Sequence, residues 1–237
     1  MRRKRRAFTL VELLVVIAII SVIGAGGVML VNFNSGRQSL VTAQQTLMSS
    51  FEEARILACA KSAKARVVIY KGDDNSRRLR QVGIIYESLD DDGNSNGWVS
   101  HSSGTMLPKN TFFIPPSGEF NSQVKIDSDS MSEADVVNST FSNGVTGAPR
   151  VVGMANFGSR RAQSVGEGNG EWYCYEFSAE GLSENPNARI IVATGTQNAK
   201  GEFIMKNPFD ILGFTVLRTG KTVGFTDYEE IKEAMLQ

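Results

Sequence analysis

Residues 7–31 read AFTLVELLVVIAIISVIGAGGVMLV, and the block RRKRR at residues 2–6 stands directly before them. From residue 13 to residue 31 no side chain is charged and only Ser21 is polar. A helix rises about 1.5 Å per residue, so this run spans roughly the 30 Å hydrocarbon core of a bilayer. It is longer than the apolar stretch of an ordinary secretory signal, which is about 7–15 residues. Cations ahead of an apolar span hold their end in the cytoplasm. The expectation is a single pass, with the N-terminus inside and everything after residue 31 across the membrane.

Glu12 sits at the lip of this span and needs a reason. A charge costs about 2.5–3.5 kcal/mol at the centre of a membrane helix and less near the interface. Thr9-Leu10-Val11-Glu12 fits a capping box, in which Thr9 caps the helix and Glu12 reaches back to its amide. A negative charge in the first turn also suits the helix dipole. Read alone, Glu12 is equally a cap or a residue of assembly.

Its surroundings shift the balance. The short basic leader followed by Ala7-Phe8-Thr9-Leu10-Val11-Glu12-Leu13-Leu14 resembles the processing motif of type IV prepilins. The resemblance implies a prepilin peptidase that cuts between Ala7 and Phe8 and N-methylates Phe8, making Glu12 the fifth residue of the mature chain. The family usually has Gly before the cut, and Ala7 departs from that. Before the cut, five cations keep the N-terminus out of the apolar phase. After it, a single ammonium on Phe8 is left to pair with a Glu12 carboxylate of a neighbouring subunit, which gives an intramembrane charge a named partner.

The helix is expected to continue past the membrane. Leu40, Leu47, Phe51, Ala54 and Ala58 recur at amphipathic spacing, and good helix formers fill residues 43–64. Gly24, Gly26 and Gly27, then Asn34-Ser35-Gly36, are two points where it would bend or loosen. After Lys64 the pattern turns to β. Strands are expected at 65–70, 79–86, 112–114, 150–155, 171–178, 188–194, 211–218 and 221–225, with a Ser/Asn/Asp-rich surface loop between 119 and 147. Thr226-x-x-Glu229 is expected to cap a short C-terminal helix through Leu236.

In this outer part Phe51-Glu52-Glu53-Ala54-Arg55-Ile56-Leu57-Ala58, followed by a Val-rich strand, resembles the H-type minor pseudopilins (GspH/FimT) of type II secretion systems. So do Met106-Leu107-Pro108 ahead of Phe112-Phe113-Ile114-Pro115, Phe177-Ser178-Ala179-Glu180-Gly181, and Val216-Leu217-Arg218-Thr219-Gly220-Lys221. Residues 119–170 match nothing in that family.

Composition limits the rest. Apolar residues make up 41 % of the 237, enough for a core, and the formal net charge is zero. Five of the 25 basic side chains lie in the leader against 25 acidic ones overall, so the remainder is acidic and opposes nucleic-acid affinity. Arg77, Arg78, Arg80, Arg160 and Arg161 are read as solvated strand edges rather than phosphate contacts. His101 is the only histidine, which leaves little for a His-based metal site or a catalytic triad.

Asp92-Gly93-Asn94-Ser95-Asn96-Gly97, with Asp90 and Asp91 adjacent, fits the first half of a calcium loop. Ser103 stands where the bidentate acid is required, so the full signature fails. A tight turn uses the same residue types. The turn is preferred, with Asp90, Asp92, Asn94 and Asn96 kept as the calcium alternative and no other cofactor expected. Gly166-Glu167-Gly168-Asn169-Gly170 lacks the Lys-Ser/Thr of a phosphate loop and reads as a turn. Tyr173, Tyr175 and Phe177 alternate as one packed strand face, and Cys59 and Cys174 are read as packed thiols, with a disulfide between them left open.

The expected fold is α+β: a long N-terminal helix whose first half spans the membrane, with an antiparallel sheet domain packed on its outer half. The divisions are a leader at 1–7, a spanning segment at 8–31, an outer amphipathic segment at 32–64 and a β-rich periplasmic domain at 65–237. The expected role is structural and not enzymatic. It is that of a minor pseudopilin in the inner membrane, with the peptidase, other pilin subunits and membrane lipid as partners. A minor pilin of a type IV pilus or DNA-uptake system is the alternative, and a signal-anchored periplasmic enzyme the third reading.

Overall fold

The computed structural model describes residues 10–115, 120, 122–126, 151–152, 172–205, 207, 209–227 and 230–231. One helix, α1 (Leu10–Lys61), runs unbroken through Gly24, Gly26, Gly27 and residues 34–36. The chain divides into two compact units, Met1–Gln38 and Ser39–Gln237.

In the first unit the described apolar side chains are exposed: Val11, Leu13, Leu14, Val15, Val16, Ile17 and Ile20. Residues 13–17 are consecutive, and at about 100° per residue they cover every side of the helix. Among the described residues of this unit no buried stripe is seen.

The second unit behaves differently. From Leu40 onward the helix buries Ala43, Leu47, Phe51, Ala54, Leu57 and Ala58 along one face, the stripe that the spacing predicts. At its C-terminus Ser62 turns left-handed (φ 48°). The amide of Ala63 donates to the Ala58 carbonyl (3.2 Å) and that of Ser62 to Cys59 (3.3 Å). These two bonds form a Schellman stop with serine in the position glycine usually fills.

Thirteen strands follow among the described residues: β1 (Ala65–Tyr70), β2 (Gln81–Leu89), β3 (Ser95–Ser100), β4 (Thr105–Met106), β5 (Thr111–Phe113), β6 (Val124–Ile126), β7 (Val151–Val152), β8 (Trp172–Phe177), β9 (Ala188–Thr194), β10 (Thr196–Gln197), β11 (Phe203–Met205), β12 (Ile211–Val216) and β13 (Thr222–Gly224). The largest sheet has the order β3-β2-β1-β8-β7, with β4 also on β2; the others are β13-β12-β9-β5 and β10-β11-β6. All pairs are antiparallel except β11 with β6. The arrangement is α+β, as expected, with that one parallel pair added.

The central sheet is apolar on both faces. Val67, Ile69, Ile84, Tyr173, Tyr175 and Phe177 join the core that holds the helix stripe, while Val68, Tyr70, Ile85, Trp98, Trp172 and Cys174 form a second cluster. Phe51 bridges two sheets. Its ring lies 4.9 Å from that of Tyr175 and 6.1 Å from Phe177 on β8, and 5.1 Å from Phe214 on β12. Gln44 and Ser50 are the buried polar residues of the helix, and the Gln44 amide donates to the carbonyls of Gly213 (2.5 Å) and Phe225 (2.8 Å).

Several expectations need correction. The sequence reading puts no strand between residues 87 and 111, yet β2 runs on to Leu89 and β3 returns across Asp92-Gly93. Asp-Gly between strand-like runs is a hairpin signal, and Gly93 takes the positive φ (82°) that such a turn requires. Cys59 is exposed, not packed, because it lies one step of about 100° past the buried Ala58. Cys174 is buried as expected, and no disulfide joins the two. The C-terminal cap is built one residue on from its expected place: Glu230 accepts from the Thr226 amide (2.6 Å) and hydroxyl (2.9 Å), and Asp227 accepts from the Glu230 amide (3.0 Å). Ala7, Phe8, Thr9, Arg160, Arg161, residues 166–170, Glu229, Leu236 and most of the 119–147 loop lie outside the described residues.

Candidate functional site

The segment with the strongest sequence signal begins the helix. The described helix starts at Leu10, so the backbone of Glu12 is in its first turn; the Glu12 side chain lies outside the description. Around it stand exposed apolar side chains, Val11 at 69 % and Leu14 at 61 %. Among the described residues no helix is long and apolar enough to cross a membrane. Side chains are described for only part of residues 13–31, so the span is carried by the sequence. A helix apolar on every side is suited to a membrane or a protein interior and not to water.

A second locus gathers three of the motifs that carry the outer-domain resemblance. Arg55, in the helix motif, forms an i,i+3 ion pair with Glu52. Arg55 holds the Glu52 carboxyl below its ordinary value through that hydrogen bond. The turn at Gly181 closes the second motif and the turn at Gly220 the third, and both glycines have positive φ (75° and 76°). A Cβ at Gly181 would lie 2.5 Å from the Cys59 sulfur and 3.2 Å from Arg55 Cγ, while one at Gly220 would lie 2.7 Å from Arg55 Cδ. The turns are tied by Ser183, whose amide donates to the Arg218 carbonyl (3.1 Å). Motifs far apart in sequence therefore meet at one helical arginine, which single-chain reading had no means to foresee.

The calcium alternative finds its residues otherwise employed. Asp90 accepts from the amides of Asp92 (3.0 Å) and Asn94 (2.7 Å), which closes the turn, and Asn96 lies in β3. Among the described residues no group of three or more His, Cys, Asp or Glu is arranged to hold a metal ion.

The arginines after β1 are also committed. Arg77 stacks on Tyr70 at 4.4 Å. Arg78 donates to the Gly72 carbonyl (2.8 Å) and pairs with Asp73 (3.2 Å). Arg80 donates to the Leu107 carbonyl (3.0 Å), and burial lowers its pKa. They brace the β1–β2 connection rather than merely edging it.

Two polar groups of β8 complete the account. Glu176 on β8 pairs with Lys64 (2.8 Å) and Arg66. Burial alone would raise its pKa, and the two cations outweigh burial and hold it low. Arg66 in turn stacks on Trp98 at 3.8 Å. The Tyr175 hydroxyl bonds Ser183 and the Asn185 carbonyl, and burial pushes its pKa up to about 12. Both arrangements are structural, and neither offers a nucleophile beside a base.

A family model described as the prokaryotic N-terminal methylation motif matches residues 2–28. No curated protein and no solved structure matches the chain significantly. The motif is that of structural pilins. It implies processing by a prepilin peptidase, assembly with other pilins, an inner-membrane anchor and a domain on the periplasmic side. With the outer helix packed on antiparallel sheets, the chain combines an N-terminal methylation motif with a pilin-like α+β arrangement.

Proposed function

We propose that the chain is a minor pseudopilin of a type II secretion system, built through its N-terminal helix into a short periplasmic filament. The observation that carries the assembly half of this reading is the girdle of exposed apolar side chains at residues 11–20, which needs lipid before assembly and other helices after it. The choice of a secretion pseudopilus rests on the resemblance of residues 51–58, 106–115, 177–181 and 216–221 to the H-type group. In this reading the peptidase cuts between Ala7 and Phe8, Phe8 is methylated, Thr9 caps the helix and Glu12 pairs with the Phe8 ammonium of a neighbour.

Mass spectrometry of the native protein is expected to find a chain that starts at N-methyl-Phe8. A mature protein that keeps residues 2–6 overturns the proposal. Glu12→Gln keeps the capping geometry and removes the charge. It is expected to insert and be cleaved normally yet lose crosslinks to partner pilins, because the ammonium is left unpaired in apolar surroundings. Normal crosslinking would reduce Glu12 to a cap. Deleting the gene is expected to stop secretion and leave surface pili intact; the reverse phenotype assigns the chain to a pilus.

A further inference from the structure

The outer half of α1 has a flank that its core packing does not use. There a cleft of about 420 Å³ opens between the helix and the β2 segment at Gly83 with the loop that carries Ser102. That volume is within the range that takes ligands. Its lining is mixed: hydroxyl and amide side chains from the helix face Val82, Gly83 and Ile84 of β2, and among the described residues Glu53 is the one charged group in it.

The hydrogen bonds of the cleft give it a bias. The hydroxyl of Thr46 donates to the Thr42 carbonyl (2.7 Å) and that of Ser50 to the Thr46 carbonyl (2.9 Å). Their protons are spent on the helix, and what they offer to the cleft is lone pairs. Glu53 adds a carboxylate. Among the described residues His101 is beside it, with Nε2 3.2 Å from Oε1, an ion pair when the imidazole is protonated, and Oε2 is left for a further donor. A carboxylate beside two hydroxyls whose protons are committed elsewhere favours a cationic donor over an anion. Arginine is the poorer fit, because its planar fork needs both carboxylate oxygens and His101 holds one. A compact ammonium with three donors matches the acceptor set.

We propose that this cleft docks a lysine side chain presented by an extended segment of a partner protein, with Glu53 as the counter-ion and His101 as the group that holds that carboxylate when the cleft is empty. The inference goes beyond the assembly reading and stands apart from it, because the cleft belongs to the outer domain and the binding is measured on unassembled protein.

His101 is the only histidine, so its imidazole is a single spectroscopic reporter beside Glu53. Full-length protein in detergent micelles, labelled with ¹³C at histidine, is titrated at constant ionic strength with the capped pentapeptide Ala-Ala-Lys-Ala-Ala. The expected result is a saturable displacement of the His101 signal. That displacement is absent with the Nε-acetyl-lysine peptide and weaker with the arginine peptide. Glu53→Gln is expected to weaken binding about two- to fivefold, the range for a partly exposed ion pair. Thr46→Val, which removes an acceptor and leaves Glu53 and His101 in place, is expected to weaken it by a smaller factor while the free-state His101 signal stays put. A silent His101, an equal response to the acetylated peptide, or undiminished binding by Glu53→Gln overturns the proposal. If n-butylammonium binds as tightly as the peptide, the partner protein is overturned as the source of the cation.

Discussion

Between Val11 and Ile20 the helix exposes every apolar side chain the structure describes, whereas between Leu40 and Ala58 it buries a single stripe. Both stretches are rich in apolar residues and both are helical. They differ in period. The first is apolar at consecutive positions, so no rotation about the axis hides it from water. The second is apolar at every third or fourth position, so one sheet face covers it. One helix therefore serves two solvents, and the pattern of apolar residues rather than their number decides which.

The comparison is open to breakage from either side. Phe51→Ala is expected to have the largest effect, about 3–5 kcal/mol of domain stability, because the ring touches Tyr175, Phe177 and Phe214 at once. Chemical denaturation in micelles reads this, and membrane insertion should not change. Val16→Asp is the mirror experiment. It should oppose insertion by about 2.5–3.5 kcal/mol, seen as loss from the membrane fraction, and leave the denaturation midpoint of the outer domain where it was. If either change moved both readouts, the two halves would not be energetically separate.

Gln44→Ala sharpens the picture of the buried face. It removes the side-chain donor from the Phe225 carbonyl and one of two donors from the Gly213 carbonyl, which keeps the Phe225 amide, with an expected cost of about 1–3 kcal/mol. Hydrogen exchange should rise first at residues 213 and 225. Ile56→Ala is the smallest effect. Its side chain is on the helix but 55 % exposed, so the denaturation midpoint should move by no more than about 0.5 kcal/mol. A large loss there would mean that the stripe is wider than the burial indicates.

The legible parts of the chain were those where a local pattern has one physical outcome. The leader and apolar run admit one topology. The stripe from Leu40 to Ala58 admits one helix face. Tyr173, Tyr175 and Phe177 alternate and are all buried on the core side of β8. Asp92-Gly93 shows the opposite case. The same residues suit a calcium loop and a hairpin turn, and the return of β3 onto β2, which shows the turn, depends on pairing that no local pattern announces. The short strands β4, β6, β10 and β11 left no trace in the sequence, because two or three residues are too few to display a period.

By itself the sequence determined the apolar run behind its basic leader, the match to a methylation motif and the face of the outer helix, since each is written within one stretch. Tertiary structure alone decided that Cys59 is exposed while Cys174 is buried, and that three arginines after β1 brace a connection. It also brought Gly181 and Gly220 together on Arg55. These outcomes depend on how the chain folds back on itself, and the two glycines that close on Arg55 lie more than a hundred residues further along the chain.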